Sequence, residues 1–349
     1  MLSGRSFSTK EGKVNVMNKW KIVLLTGSLF IILSACSNAN ADQADTVTLQ
    51  LGHALTEGTP ASDLIEDMAA EVEEKTDGRI VFDIYPNSLL GSETEMLEQV
   101  QLGAMDSAAI MVGSMQALDM RMAIEDLPYM WKDIDHARAA YKGEFGEYLA
   151  DIMAEQGMTK IGYLEWGYRH ITNNRGPIVE PRDMDGLNIR VAETKLRIDA
   201  FEQMGAMPTV MAFSEVYGAL QQGAIDAQEN PLANIVLPKL YEVQDYFSLT
   251  GHFYNTVMLV VKTDVWEEIS SEDQQIILAE AERIQEEVNA KNDEQQEAYI
   301  QELKSQGMQV NEDVNIETFR EQMLPVYEKW EEDVFGEEMM DVYRKASGW

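Results

Sequence analysis

An α/β fold with two similar lobes is predicted by three observations. Apolar residues alternate between a period of two and one near 3.6, a strand-helix-strand pattern recurs after 120 residues, and a long charged helical stretch follows both copies. With 349 residues, 45% of them hydrophobic, the chain can build one large or two medium domains with real cores.

Val47, Leu49 and Leu51 alternate with polar neighbours and predict a strand. The loop at Thr59-Pro60 opens an amphipathic helix over 61–75, ended by Gly78. Ile80, Phe82 and Ile84 predict a second strand; Gly91-Ser92 then opens a helix through Gln101, which Gly103 stops. The helix end Gly103-Ala104-Met105-Asp106 recurs as Gly223-Ala224-Ile225-Asp226, each copy following a strand, 82–85 in one and 208–211 in the other. Glycine there supplies the left-handed residue that turns a helix straight into a strand. Two such lobes would face each other and bind ligand outside the carboxyl ends of their strands. On this alignment Asn230 matches Ile110, and both would line one cleft. From Ser271 to about Gln306, Ile277, Ala281, Ile284, Val288, Tyr299 and Leu303 stand near helical spacing. About 35 helical residues span roughly 50 Å, enough to cross both lobes. The tail through Trp330, Phe335 and Trp349 is expected to pack back onto the body.

The formal charge is −34, from 27 basic against 61 acidic side chains. Such a field repels nucleic-acid backbones, so nucleic acid is excluded as a partner. It repels small anions as well, so an anion site here must carry its own positive charge. The few arginines are therefore informative.

Residues 1–35 read as an export signal, with Lys19 and Lys21 before an apolar run over 22–35. The run is about 14 residues, too short for a helix to span a bilayer of roughly 30 Å. The basic pair follows Met17 so closely that translation is expected to start there. Leu33-Ser34-Ala35-Cys36 resembles the lipobox of bacterial lipoproteins, which would make Cys36 a lipidated first residue and 37–45 a flexible tether. Membrane contact is thus expected through a lipid anchor only. Cys36 is the single cysteine, which excludes an intrachain disulfide and a cysteine-ligated metal.

The four histidines, His53, His136, His170 and His252, have no metal-ligand spacing, and there is no His-Glu-x-x-His, Gly-x-Ser-x-Gly or phosphate-binding glycine loop. No enzyme activity, metal or cofactor is expected. Two arginines stand in apolar or aromatic surroundings. Residues 163–169 read as a strand leaving the core into a loop that carries Arg169, and Arg190 lies on a strand between Ile189 and Val191. A buried guanidinium needs an anion. A structural Asp or Glu and a ligand carboxylate, matched by the planar fork of arginine, both answer that need.

Arg190 in Gly-Leu-Asn-Ile-Arg-Val, with Met211-Ala212-Phe213-Ser214-Glu215-Val216-Tyr217 and Gln228-Glu229-Asn230-Pro231-Leu232, resembles the solute receptors of tripartite ATP-independent periplasmic (TRAP) transporters, DctP family. The similarity runs from about Val47 to the C terminus. It implies a two-lobed fold of the periplasmic-binding-protein type, with a hinge that closes on ligand and a long helix crossing both lobes. The implied lobes are 46–166 plus 256–295 and 167–255 plus 296–349. It also implies partners: a small carboxylate solute and the small and large TRAP membrane subunits. By resemblance Arg190 holds the ligand carboxylate, Arg169 and Asn230 add polar contacts, and Phe213 packs nearby. Family receptors for sialic acid place a glutamate where this chain has Met111, and those for four-carbon dicarboxylates usually end the stretch at 165–169 in Phe-Lys. Glu165-x-Gly167-Tyr168-Arg169 with Thr172-Asn173 is similar to the branch that binds sugar acids such as the hexuronates glucuronate and galacturonate. Trp166 could then stack on a pyranose and Glu93 accept from its hydroxyls, each with packing or surface as the plain alternative. His53 reads either as a cleft residue or as a satisfied core histidine. A dicarboxylate or other organic acid is the alternative ligand, and a surface enzyme acting on acidic sugars the more remote one.

Overall fold

The computed structural model describes residues 46–348; the expected signal, Cys36, the tether and Trp349 lie outside the described residues. In chain order the first echo comprises β1 (Val47–His53), α1 (Pro60–Lys75), β2 (Ile80–Tyr85), α2 (Glu93–Leu102) and β3 (Ser107–Met111). Two 3-10 segments, Val112–Ala117 and Met120–Asp126, lead to α3 (Ile134–Tyr141), α4 (Glu144–Glu155) and the long β4 (Met158–Asn173). The second echo follows as β5 (Asn188–Val191), α5 (Lys195–Gln203), β6 (Met207–Val210), α6 (Phe213–Gln221) and β7 (Ala227–Pro231). Then come α7 (Ala233–Val236), β8 (Tyr246–Lys262), α8 (Thr263–Glu268), α9 (Ser271–Ser305), β9 (Gln309–Asn311), α10 (Ile316–Trp330) and α11 (Gly336–Ser347).

The nine strands of the described residues form one sheet in the order β2-β1-β3-β8-β4-β7-β5-β6, with β9 on β8. The order is symmetrical about the central antiparallel pair, because each echo puts its first strand between its second and its third. Gly103 and Gly223 cap α2 and end the turn after α6 at φ of 73° and 68°, the left-handed region that lets both helices turn into β3 and β7.

The expected loop at 163–169 is instead the middle of β4. β8 pairs it along its length, Tyr163 to Arg169 lying opposite 253–258, and from Arg169 to Asn173 the other edge pairs with 227–231 of β7. With β8 alongside throughout and β7 joining at Arg169, the strand continues through the sheet instead of leaving it. Its register against β8 shifts three times, at Lys160/Gly162, Arg169/Ile171 and, in the middle, at the Trp166 bulge, where it steps from Glu165 opposite Thr256 to Gly167 opposite Asn255.

One buried cluster joins Leu49 and Leu51 of β1 to Ile65 and Met68 of α1 and to Ile277, Ile284 and Val288 of α9. Each such side chain contributes about 1.5–3 kcal/mol by leaving water. Ile300 and Leu303, at the other end of α9, pack with Ile235 and Phe247. The 35-residue α9 thus runs along both halves. Trp330 and Phe335 are buried, and Tyr343 of α11 lies 6.5 Å from Trp131, so the described part of the tail does pack onto the body. No helix among the described residues is long and apolar enough to cross a membrane.

Candidate functional site

A cleft of about 670 Å³ opens at the carboxyl ends of the parallel strands, where Met111 ends β3, Val210 ends β6, and Arg190 and Asn230 sit near the ends of β5 and β7. Glu93, Trp166, Arg169, Phe213 and Ser114 also line it. Six of the seven residues expected to bind ligand are therefore brought together. Ile110 is not: it is fully buried, and its neighbour Met111 reaches the cleft, as alternate strand residues point to opposite faces.

Arg190 is 4% exposed. Its Nε and Nη2 donate to the Met211 carbonyl at 3.0 and 2.8 Å, and its guanidinium carbon lies 5.9 Å from the Phe213 ring centre. Among the described residues it forms no ion pair with a carboxylate. Burial lowers its pKa to about 10, Arg169 and Arg197 adding to the effect while Glu229 and Glu93 oppose it; the group stays charged at neutral pH.

Arg169 is buried in a different setting. Its Nε and Nη2 grip Glu229 in a two-pronged ion pair, and Nη2 also donates to the Glu229 carbonyl at 2.7 Å and to Asn230 Oδ1 at 2.9 Å. Glu229 accepts from Arg197 Nη1 at 3.1 Å and meets His252 Nε2 at 3.3 Å, while Arg197 Nη2 donates to Asp126 and, at 3.0 Å, to Asn255. Burial would raise the Glu229 carboxyl, but Arg169 and Arg197 override it and hold the group well below the usual carboxylate range. Sequence reading missed Arg197, Asp126, Glu229 and His252. No spacing links residues 126, 197, 229 and 252 in the chain, and an acidic sequence makes one more Glu uninformative.

Glu93 is the first residue of α2, behind the N-cap Ser92 and its capping box with Glu95. Its two oxygens accept from the Met111 N–H and the Ser114 hydroxyl, each at 2.8 Å. Trp166, at the bulge, donates from Nε1 to Asn234 Oδ1 at 3.0 Å. His53 corrects its expectation: it is fully buried on the Leu49 and Leu51 side of β1 and does not line the cleft. Neither ring nitrogen makes a well-formed hydrogen bond, and burial, partly offset by the Leu55 backbone, lowers its pKa to about 4. Of the seven residues, a second cavity of about 460 Å³, bordered by Trp131, Tyr168, Thr250 and Asn292, shares only Trp166. No group of three or more His, Cys, Asp or Glu among the described residues is placed to hold a metal ion.

The family model of bacterial extracellular solute-binding proteins, family 7 (DctP), matches residues 51–333. A solute-binding protein of Verminephrobacter eiseniae is 32% identical over 275 residues, 79% of this chain and 82% of that one. A TRAP periplasmic solute-binding protein from Polaromonas, solved with D-erythronate, superposes with a TM-score of 0.81 at 32% identity, over 86% of this chain and 98% of that one. Another from Chromohalobacter salexigens, solved with D-glucuronate, gives 0.82 at 30% identity, over 86% and 99%. The matched span holds both echoes, the cleft and most of the helical tail, and the chain belongs to the DctP family, the two-lobed extracytoplasmic solute receptors of TRAP transporters.

Proposed function

We propose that this receptor captures a sugar acid, a hexuronate such as glucuronate or galacturonate, with Arg190 holding the carboxylate. One observation carries the reading: Arg190 is a buried cation without a protein carboxylate, in the wall of a cleft. A guanidinium so placed costs several kcal/mol until an anion arrives. Arg169 and Asn230 add polar contacts, Phe213 flanks the anchor, Trp166 stacks on the sugar ring and Glu93 accepts from its hydroxyls. The erythronate and glucuronate held by two relatives favour a hydroxylated acid. A dissociation constant near 1 μM needs about −8 kcal/mol, within reach of a charged arginine pair plus several hydroxyl contacts.

The working lobes are 46–166 plus 256–295 and 167–255 plus 296–349. They bend where β4 and β8 pass through the Trp166 bulge. Closure buries the ligand, and the small and large membrane subunits accept the closed form. Lipidation of Cys36 keeps the receptor at the membrane, since paired acyl chains anchor durably. Cys36→Ser should release the protein from membranes or stall its processing; parent protein recovered only in the medium would refute the anchor. For the ligand, a thermal-shift screen of organic acids should find hexuronates raising the melting temperature without turnover. Failure of every carboxylate to do so, or product formation, would sink the receptor reading.

A further inference from the structure

We infer that Glu93 is the specificity-determining pole of the cleft, admitting ligands with one carboxylate and several hydroxyls and turning away dicarboxylates. The inference rests on Arg190 as the carboxylate anchor and narrows the ligand class of that site.

The charges around the cleft decide it. Two arginines line the cleft, and one of them, Arg169, is matched together with the buried Arg197 by Glu229 and Asp126, which leaves Arg190 as the cation able to take a ligand charge. Glu93 lines the same cavity. Its hydrogen-bond partners there, the Met111 N–H and the Ser114 hydroxyl, are neutral, and among the described residues it makes no ion pair; burial raises its pKa, while these two donors and the more distant Arg197 and Arg169 oppose the rise and favour the carboxylate. The other acid of that helical turn, Glu95, is engaged with the Ser92 N–H at 2.7 Å, and the remaining acids of the lining, Glu98 and Glu193, are solvent-exposed, where water screens them. The cleft therefore holds one guanidinium, Arg190, and one carboxylate, Glu93, neither of them in an ion pair with the protein.

A carboxylate has about four acceptor sites, and two on Glu93 are taken. The other two call for donors. Hydroxyls of a sugar acid supply them, so an acid with one carboxylate satisfies both poles at once. A second ligand carboxylate has no proton to donate at neutral pH and meets a like charge where desolvation strengthens the repulsion.

Titration calorimetry tests this with glucuronate and gluconate as monocarboxylates, and glucarate and succinate as dicarboxylates. Gluconate and glucarate differ only in a terminal alcohol against a second carboxylate. The parent protein should prefer its best monocarboxylate over its best dicarboxylate at least tenfold. Glu93→Gln should cut that ratio at least tenfold by tightening the dicarboxylate, whereas Glu66→Gln, the same charge change on the exposed face of α1, should leave it alone. Equal parent affinities, an unmoved ratio in Glu93→Gln, or a ratio moved as far by Glu66→Gln would each overturn the inference and leave the carboxylate receptor standing. A parent protein that binds none of these acids brings down both. Should Glu93→Gln show no melting transition, Ser114→Ala keeps the charge while removing one donor. There the monocarboxylate preference must persist, and its loss overturns the inference.

Discussion

Arg169 and Arg190 lie on β4 and β5, two strands separated only by β7, and both are nearly inaccessible to water, yet their surroundings differ. Around Arg169, two guanidiniums and two carboxylates close on one another with His252 and Asn255, and the charge is spent inside the protein. Around Arg190 the protein offers a backbone carbonyl and an aromatic face, and the charge is left over. The same residue type at the same burial is thus ion-paired in one place and left without a carboxylate in the other. What separates them is whether a carboxylate of the chain stands within reach.

The sharpest way to break this comparison is Glu229→Gln. It keeps the shape but leaves Arg169 and Arg197 sharing the single charge of Asp126, and the loss in ligand-free stability should be about 3–5 kcal/mol. Urea unfolding measures it, and a variant as stable as the parent would mean that the network is not held by charge. Arg190→Lys should do the reverse. Its ligand-free melting temperature should stay close to the parent's, while affinity for a bound sugar acid falls roughly ten- to hundredfold, or about 1.5–3 kcal/mol, because an ammonium keeps the charge but loses the fork. A large drop in melting temperature with unchanged affinity would exchange the roles of the two arginines.

Trp166→Phe sharpens the comparison at the bulge. Asn234, fully buried, would lose the indole donor that meets its Oδ1, at a cost of about 1–2 kcal/mol in thermal unfolding. An unchanged melting curve would show the indole contact to be dispensable. The smallest effect is expected at His53, a buried group with no charge partner at all. Its folded pKa of about 4 lies below the unfolded value of 6.5, so the unfolded state binds the proton first. Its contribution is whole above about pH 6.5 and erodes as pH falls toward 4, by about 0.8 kcal/mol at pH 6. His53→Leu should flatten the parent's stability between pH 8 and 6 by about that amount, and parallel curves would contradict it.

Much of this molecule was legible in its sequence because it is local. The alternation of Leu49 and Leu51, the periodicity of α9 and the glycines at 103 and 223 act within a few residues, and period and turn chemistry determined the α/β class, the repeated units and the long helix without reference to the rest of the chain. The resemblance carried by the segments around 190, 213 and 230 also led to six of the residues that line the cleft, and to His53, which does not. Tertiary structure alone decided the rest. Whether 163–169 was strand or loop depended on β8 arriving to pair it along its length, with β7 taking up the other edge from Arg169. Whether an arginine was spent or free depended on Glu229, 60 positions beyond Arg169, and on Arg197 and Asp126, 71 positions apart. Charge compensation depends on distance in space, and an acidic chain offers so many carboxylates that only folding selects which one comes within reach.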